Sequence, residues 1–402
     1  MLFITSAMIQ KNAPAMKKSR ILVTCAKGIA PFLREELIRL GFPVLTESVA
    51  GIGTEGSIDD TLRLNLMLRT AHRVLFLIRE CVAMDADGFY RELAGIPWEE
   101  FIAEDGYVCV TSSVDNPSIT DSRYANLKAK DAIVDRISAR RGRRPDSGHD
   151  KSRSVVNVYW KGRECAVYLD TSGEALSQRG YRKLPLSAPM QETLAAAVVM
   201  ATGWDGTRDF INPMCGSGTL AIEAAWIALN RAPGLLRNNF GFMHIKGYHK
   251  PLWQSLRNRA LQESRNSMNC RILATDISRQ AIEAARQNAA QAGVENMIEF
   301  SVCDYRKTPL TDNTGIVMLN PEYGQRLGNP GTLEETYREI GNFFKQRCIG
   351  MTGYVFSGNL EMSKKIGLKT KRRIPFFNGG IECRLMEYEL YAGSRRKADD
   401  PS

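Results

Sequence analysis

The most informative segment of this chain reads Asn212-Pro213-Met214-Cys215-Gly216-Ser217-Gly218-Thr219. It joins a short apolar run to a segment with helical spacing, and its two glycines let the backbone turn sharply and approach a ligand closely. The glycine spacing also fits the dinucleotide fingerprint, which requires an acidic residue about 20 positions further on. The acidic residue that ends the next predicted strand is instead Asp276, far beyond that spacing. The segment therefore predicts a ligand-binding loop between a strand and a helix, with a plain tight turn as the alternative.

The region around this loop alternates helices with strands. Helical spacing occurs in Glu192–Thr202, Thr219–Asn230, Trp253–Arg265, Ser278–Gly293 and Leu333–Gln346, with a Pro- and Gly-interrupted insertion at Arg231–Lys250. Strand-like segments are Asp209–Asn212, Arg271–Thr275, Ile298–Val302, Gly315–Asn320 and Gly353–Ser357, and two more lie near Lys369–Ile374 and Glu382–Tyr391. This order predicts a Rossmann-like α/β domain with a doubly wound, mostly parallel sheet and an antiparallel C-terminal hairpin.

The N-terminal part has a different order of predicted strands and helices. Its predicted elements are a strand at Ile21–Cys25, a helix at Ala30–Leu40, strands near Val44–Leu45 and Gly51–Glu55, a helix from Asp59 to Leu68, and a strand at Val74–Cys81. The order β-α-β-β-α-β is typical of a ferredoxin-like unit. A second α+β block follows, with strands at Tyr107–Ser112, Val155–Trp160 and Glu164–Leu169 and a helix at Asn126–Ser138.

These patterns divide the chain into six parts. We expect a disordered segment at 1–18 that is not a signal peptide, an N-terminal domain at 19–82, the second block at 83–170, a polar linker at 171–187, the α/β domain at 188–392 and a basic, polar tail at 393–402.

The charge composition narrows the class of molecule that the protein is expected to bind. With 54 Lys and Arg against 44 Asp and Glu, the formal charge is +10, which favours a polyanion such as nucleic acid, although a generally basic surface is the alternative. The cations that we expect to contact phosphates are Lys128 and Lys130 on a helix and Arg140, Arg141, Arg143 and Arg144 just after it, a cluster that otherwise reads as a solvated turn.

Other classes of protein are disfavoured by what the sequence lacks. The nine cysteines are scattered singly and form no Cys-x-x-Cys pair, which predicts no metal site and a reduced, cytoplasmic compartment. No apolar run reaches the roughly 20 residues that cross a bilayer. The oligomeric state is not indicated by any pattern.

Two aspartates follow predicted strands of the α/β domain. Asp276 comes at the end of Arg271–Thr275, where a carboxylate can accept two ribose hydroxyls, with a helix N-cap as the alternative. Asp304 follows Ile298–Val302, where it can accept an adenine amine, although Asp also commonly begins a loop.

The last motif is Asn320-Pro321-Glu322-Tyr323, which follows the fourth strand of the domain. A base amine conjugated to its ring is a poor nucleophile unless acceptors aimed at its hydrogens localise the lone pair. The Asn320 side-chain oxygen and the Pro321 carbonyl are suited to that task, and Tyr323 can stack on the base for about 1–3 kcal/mol. Read alone, the tetrapeptide is also consistent with a turn.

Together these motifs resemble the class I methyltransferases that methylate exocyclic amines. The resemblance extends over residues 20–392 to the RNA methyltransferases with a THUMP domain, through Lys128–Asp135, Gln178–Arg182, Arg231–Gly234 and Asn378-Gly379. Among these enzymes, the chain resembles the large-subunit (23S) ribosomal RNA guanine-N2 methyltransferases, the RlmL family. The resemblance implies S-adenosylmethionine as cofactor, RNA as partner and 83–170 as the THUMP domain.

The resemblance also implies roles for individual residues. The cofactor would contact Asn212, Pro213, Cys215, Gly216, Gly218, Thr219, Asp276, Ile277, Asp304 and Asn320. The target amine would be held by Asn320, Pro321 and Tyr323, and Arg326 would contact RNA. Asn212 and Glu322 depart from the family pattern, which has Asp and a second Pro at these positions. The alternatives are a tRNA guanine-N2 methyltransferase of the same architecture and a catalytically weak RNA-binding assembly factor.

Overall fold

The computed structural model describes residues 18–119, 121–182, 190–310, 315–322 and 330–393. The expected disordered segment (except Lys18), the end of the expected linker, Tyr323, Arg326 and residues 394–402 of the expected tail lie outside the described residues.

The N-terminal half forms one continuous sheet. Its first elements are β1 (Ser19–Thr24), α1 (Ala30–Arg39), β2 (Thr46–Ser48), β3 (Gly51–Gly56), α2 (Ile58–Met67) and β4 (Arg73–Val82), which confirms the predicted β-α-β-β-α-β order. The second block adds α3 (Ala86–Ala94), β5 (Tyr107–Asp115), α4 (Ser122–Arg141), β6 (Asp146–Gly148), β7 (Ser154–Lys161) and β8 (Glu164–Asp170). Because β4 pairs with β8, the eight strands run β2-β3-β1-β4-β8-β7-β5-β6.

Two predicted helices begin earlier than expected because a cap precedes them. The helix predicted to begin at Asp59 begins at Ile58, where Ser57 and Asp60 form a capping box. The helix predicted at Asn126–Ser138 extends over Ser122–Arg141, capped by Asp121 at its start and ended by left-handed Gly142. Arg140 and Arg141 therefore lie in the last helical turn and not in a solvated turn.

The C-terminal half is the expected α/β domain. Its elements are α5 (Glu192–Ala201), β9 (Phe210–Pro213), α6 (Thr219–Ala228), α7 (Lys250–Gln262), β10 (Ile272–Asp276), α8 (Arg279–Gln291), β11 (Glu299–Val302), β12 (Ile316–Leu319), α9 (Pro330–Arg347), β13 (Thr352–Ser357), α10 (Leu360–Lys364), β14 (Arg372–Asn378) and β15 (Ile381–Glu389). The strand order is β11-β10-β9-β12-β13-β15-β14, parallel up to β13 and antiparallel in the final hairpin, which confirms the predicted fold class. The strand predicted near Lys369–Ile374 lies further along, at Arg372–Asn378, where it pairs with β15.

In its described part, residues 171–182, the connection between the two halves buries two large polar side chains. Arg179 and Tyr181 are 1% and 0% exposed, although the polar composition of 171–187 predicted a linker. The charges can be buried because they have partners: the Arg179 guanidinium and the Tyr181 hydroxyl both donate to the Glu223 carboxylate on α6.

The insertion at 231–250 also packs against the N-terminal half. Ile245 forms a β-bridge with Ile102, and a Cβ on Gly241 would lie 2.2 Å from the Asp170 carbonyl oxygen. The insertion and the connection therefore join the halves into one packed body. Among the described helices, none combines the length and apolar character needed to span a membrane.

Candidate functional site

The glycine loop follows β9 at the carboxyl edge of the seven-stranded sheet. Gly216 and Gly218 have φ values of 54° and 80°. A Cβ on Gly218 would lie 2.9 Å from the Ala285 Cβ, so this glycine lets α6 pack against α8. A Cβ on Gly216 would meet no atom within 4 Å, so this glycine faces open space. The two predicted glycines therefore have different tasks, one in packing and one on the side where a ligand can approach.

Asp276 lies directly beside this loop. One carboxylate oxygen accepts the Gly216 amide at 3.0 Å and the other accepts the Ser278 amide at 2.9 Å. The N-cap of α8 is Ser278, whose side chain accepts from Ala281, so Asp276 is not the cap. A carboxylate can accept about four hydrogen bonds, and two positions therefore remain for hydroxyl donors.

Asn212, which stands where the family pattern has Asp, links two strands. It is fully buried in β9, and its Nδ2 donates to the Met318 carbonyl of β12 at 2.8 Å. A carboxylate cannot donate this bond, which gives a structural reason for asparagine here. Its Oδ1 is buried and has no hydrogen-bond partner among the described residues.

Asn320 follows β12, at the same edge of the sheet. Its Oδ1 is also buried and lacks a partner within the part of the chain that the structure describes. Pro321 is buried, whereas the Glu322 side chain is exposed. The Glu322 carbonyl accepts a hydrogen bond of 3.4 Å from Tyr337, a residue of α9 that the sequence reasoning missed.

The other expected cofactor residues differ in what they present. Cys215 donates its amide to the Thr275 carbonyl, and burial raises the pKa of its thiol, which is therefore neutral at physiological pH. Pro213 is the buried last residue of β9. The Thr219 hydroxyl accepts from Arg182 at 3.2 Å and so contacts the connection between the halves.

Two expected residues lie at the neighbouring strands. The Ile277 side chain is 74% exposed next to Asp276, which leaves an apolar surface uncovered. The Asp304 carboxylate accepts from Arg306 Nη2 at 2.6 Å, and this hydrogen bond lowers the pKa of Asp304. Asp304 is thus ionised at neutral pH and engaged by a guanidinium within its own loop.

These features fit S-adenosylmethionine. Two buried amide oxygens without partners, the open space at Gly216, the carboxylate of Asp276 and the apolar surface of Ile277 converge on one sheet edge. Buried polar atoms normally have a partner, so these two oxygens, which have none among the described residues, are available to a bound ligand.

The expected RNA-contacting cations are distributed around α4. Lys128 is paired with Asp87 at 3.4 Å, Lys130 with Asp131 at 3.2 Å and Arg144 with Asp135 at 3.5 Å. These distances and exposures are those of weak surface pairs, which phosphates can replace.

The three remaining arginines of the cluster differ from one another. Arg140 lies 3.9 Å from Glu99, and Arg143 is exposed. Arg141 is committed to the protein, because its Nη2 donates to the carbonyls of Glu99 and Ile102 at 2.5 and 2.8 Å. Within the described part of the chain, no group of three or more His, Cys, Asp or Glu side chains is close enough to hold a metal ion.

Comparison with family models matches three segments of the chain. An "RMKL-like, methyltransferase domain" matches residues 179–387, an "RlmL ferredoxin-like domain" matches 20–75 and a "THUMP domain" matches 83–170.

Named relatives agree with these matches. "Ribosomal RNA large subunit methyltransferase K/L" of Psychromonas ingrahamii is 37% identical over 374 residues, which are 92% of this chain and 50% of that protein. "Putative RNA methyltransferase slr0064" of Synechocystis sp. is 33% identical over 368 residues, 92% of this chain and 96% of that protein. The chain thus spans about half the length of the K/L proteins that it matches.

A solved structure of a similar protein contains a cofactor product. SMU.472, crystallised with SAH, superposes with a TM-score of 0.84 at 25% identity, covering 94% of this chain and 100% of that one. SAH is what remains of S-adenosylmethionine after methyl transfer, so that protein was crystallised with the product form of this methyl donor. The chain belongs to the family of RMKL-like methyltransferases that carry a ferredoxin-like domain and a THUMP domain.

Proposed function

We propose that this protein methylates the N2 amine of a guanine in 23S ribosomal RNA. The observation that carries the proposal is the buried Oδ1 of Asn320, which has no partner among the described residues and lies on the sheet edge that also bears Gly216 and Asp276. The name of the K/L relatives, ribosomal RNA large subunit methyltransferase, supports ribosomal RNA as the substrate.

The acceptors at this edge explain how an unreactive amine is activated. Asn320 Oδ1 and the Pro321 carbonyl accept the two amine hydrogens, which localises the nitrogen lone pair. When bound, S-adenosylmethionine supplies an electrophilic methyl group. No strong general base is required, because the amine becomes acidic once it is methylated. The neutral Cys215 thiol takes no covalent part, since burial raises its pKa and the thiolate is the nucleophilic form.

The base has to leave its stack to reach these acceptors. Flipping costs a few kcal/mol, which binding of the flanking RNA by the N-terminal half offsets. We assign the exposed or weakly paired cations of α4 and of the segment just after it to phosphate contacts, and Tyr323 to stacking on the flipped base.

The exposure of Glu322 argues for an active enzyme. This residue replaces the second proline of the family motif, and it was the only feature that favoured a catalytically weak assembly factor. Its carboxylate points to solvent and its carbonyl is fixed by Tyr337, so the substitution removes neither proposed acceptor.

The test is methyl transfer from labelled S-adenosylmethionine to 23S rRNA, to tRNA and to duplex DNA, followed by digestion to nucleosides and mass spectrometry. We expect N2-methylguanosine in 23S rRNA alone. Label in tRNA alone would identify the protein as the alternative, a tRNA guanine-N2 methyltransferase. Label in adenine would contradict the assignment of the guanine N2 amine as the target. No label in any substrate would favour the assembly factor.

A further inference from the structure

The C-terminal hairpin extends beyond the carboxyl edge of the sheet. In the register of β13 and β15, Ser357 at the end of β13 pairs with Arg384. The residues between 376 and 383 therefore continue past the end of β13, with Phe377 opposite Glu382 in the hairpin. The hairpin tip thus projects on the same side of the sheet as Asn320.

A hydroxyl group links β13, the strand beside the hairpin, to the segment after β12 that holds the proposed acceptors. The Tyr337 hydroxyl lies 2.6 Å from Ser357 Oγ and 3.4 Å from the Glu322 carbonyl oxygen. Neighbouring strands are about 4.8 Å apart, so β14, the third strand from β12, lies about 14 Å from the strand that the acceptors follow. That span corresponds to RNA flanking the target base and not to the base itself.

The N-terminal domain reaches this tip directly. Gly28, with φ +87°, lies so close to β14 that a Cβ would be 3.0 Å from the Pro375 carbonyl oxygen. Phe32 on α1 stacks on Phe376 with 5.6 Å between ring centroids. These contacts place the Lys27 ammonium over the Phe377 ring, 4.1 Å from its centroid.

The charge of Lys27 is not neutralised by the described residues. The side chain is exposed, and no ion pair between described residues includes it. The carboxylate opposite Phe377, that of Glu382, is paired with Arg384. A lysine ammonium has three N–H donors, and those that do not point at the ring face remain available to a phosphate.

We propose that Lys27 and Phe377 form a composite RNA contact at the mouth of the active site, in which the Lys27 ammonium binds a phosphate flanking the methylated nucleotide. The proposal rests on the proposed RNA methylation and adds a substrate contact from the ferredoxin-like domain. The Phe377 ring positions the ammonium, so the contact exists only when the two halves of the chain are packed together.

The test uses the full chain with Lys27→Ala, Lys27→Arg and, as a charge-matched control, Arg259→Ala. Arg259 is exposed on the last turn of α7, which leads toward the amino end of β10, at the opposite edge of the sheet. Binding of a 23S rRNA fragment is measured across a series of salt concentrations, with SAH affinity and thermal unfolding midpoints as controls. Loss of one phosphate contact reduces the slope of log K against log salt by about 0.7–0.9.

We expect Lys27→Ala to reduce the slope by that amount, Lys27→Arg to retain it, and SAH affinity to stay unchanged in all variants. If the protein methylates the fragment and the slope for Lys27→Ala equals that for Arg259→Ala, the Lys27 contact is overturned. The proposed function is then unaffected. If Lys27→Ala reduces the slope but the wild-type protein methylates no RNA, the Lys27 contact is retained and the proposed function is refuted.

Discussion

At the scale of single residues, the site depends on polar groups that have unused hydrogen-bonding capacity. Asp276 and Asn320 were identifiable from the sequence because each follows a predicted strand, and parallel strands place their carboxyl ends at one edge. The role of Asn212 was not identifiable, since its donor bond to Met318 requires the pairing of β9 with β12. The commitment of Arg141 to two carbonyl groups of the protein was equally hidden in the basic cluster.

Asp276→Ala is expected to weaken SAH binding by roughly 10- to 100-fold, or about 1.4–2.8 kcal/mol, which is the contribution of one charge-assisted hydrogen bond. Isothermal titration calorimetry measures this directly. Asp205→Ala is the control, since Asp205 accepts similar local bonds from Thr207 but precedes β9, at the amino edge. Unchanged affinity in Asp276→Ala would remove this carboxylate from the ribose role.

Gly216→Ala and Gly203→Ala form a second matched pair. Both glycines have positive φ, 54° and 69°, and a Cβ on either would meet nothing within 4 Å. The strain of a side chain at such φ is therefore similar, about 1 kcal/mol. We expect similar unfolding midpoints, with SAH affinity lowered only in Gly216→Ala; equal affinities would show that the open space at Gly216 is not the cofactor side.

At the scale of elements, the packing of α6 against α8 fixes the glycine loop. Gly218 is the contact, and Gly218→Ala forces a Cβ against Ala285, 2.9 Å away. We expect destabilisation of about 1–3 kcal/mol, as for other overpacked sites. The double variant Gly218→Ala, Ala285→Gly removes the closest clash, so urea unfolding should show partial recovery; additive losses would indicate that the two helices do not meet here.

The elements themselves were largely predictable because apolar periodicity and glycine positions are local signals. The errors lie where a tertiary partner or a cap sets the boundary, as at β14, which pairs with β15, and at α4, which Asp121 caps.

At the scale of the whole molecule, a buried ion pair fixes the connection between the two halves against α6. Arg179 and Glu223 are 1% and 0% exposed, and burial raises the pKa of Glu223 while Arg179 opposes this rise. Glu223→Ala leaves a guanidinium buried without its partner and should cost about 3–5 kcal/mol. The exposed pair Arg259–Glu263 on α7 is the control, and Glu263→Ala should cost below about 0.5 kcal/mol. Equal effects in thermal unfolding would contradict the burial of the connection.

The same group predicts the direction of a pH effect. A folded-state pKa above the unfolded value means that folding takes up a proton between the two values. The contribution of Glu223 is therefore fully present below its unfolded pKa and is lost as the pH rises through its folded pKa. The stability of wild type relative to Glu223→Gln should thus fall from about pH 4.5 upward, and a rise would refute the assigned shift.

Burial of the connection could not be predicted from the sequence. A polar segment such as 171–187 resembles a solvated linker until Glu223, 44 residues from Arg179, supplies the opposite charge. Local composition carries no information about a partner so distant in sequence.

The central claim is that the acceptors after β12 activate a base amine beside the cofactor loop. Single-turnover methylation of 23S rRNA at saturating S-adenosylmethionine and enzyme tests it most directly, with Asn320→Ala compared with wild type. We predict that the rate constant falls at least tenfold, which corresponds to about 1.4 kcal/mol of transition-state stabilisation. A rate constant within a few-fold of wild type would contradict the claim.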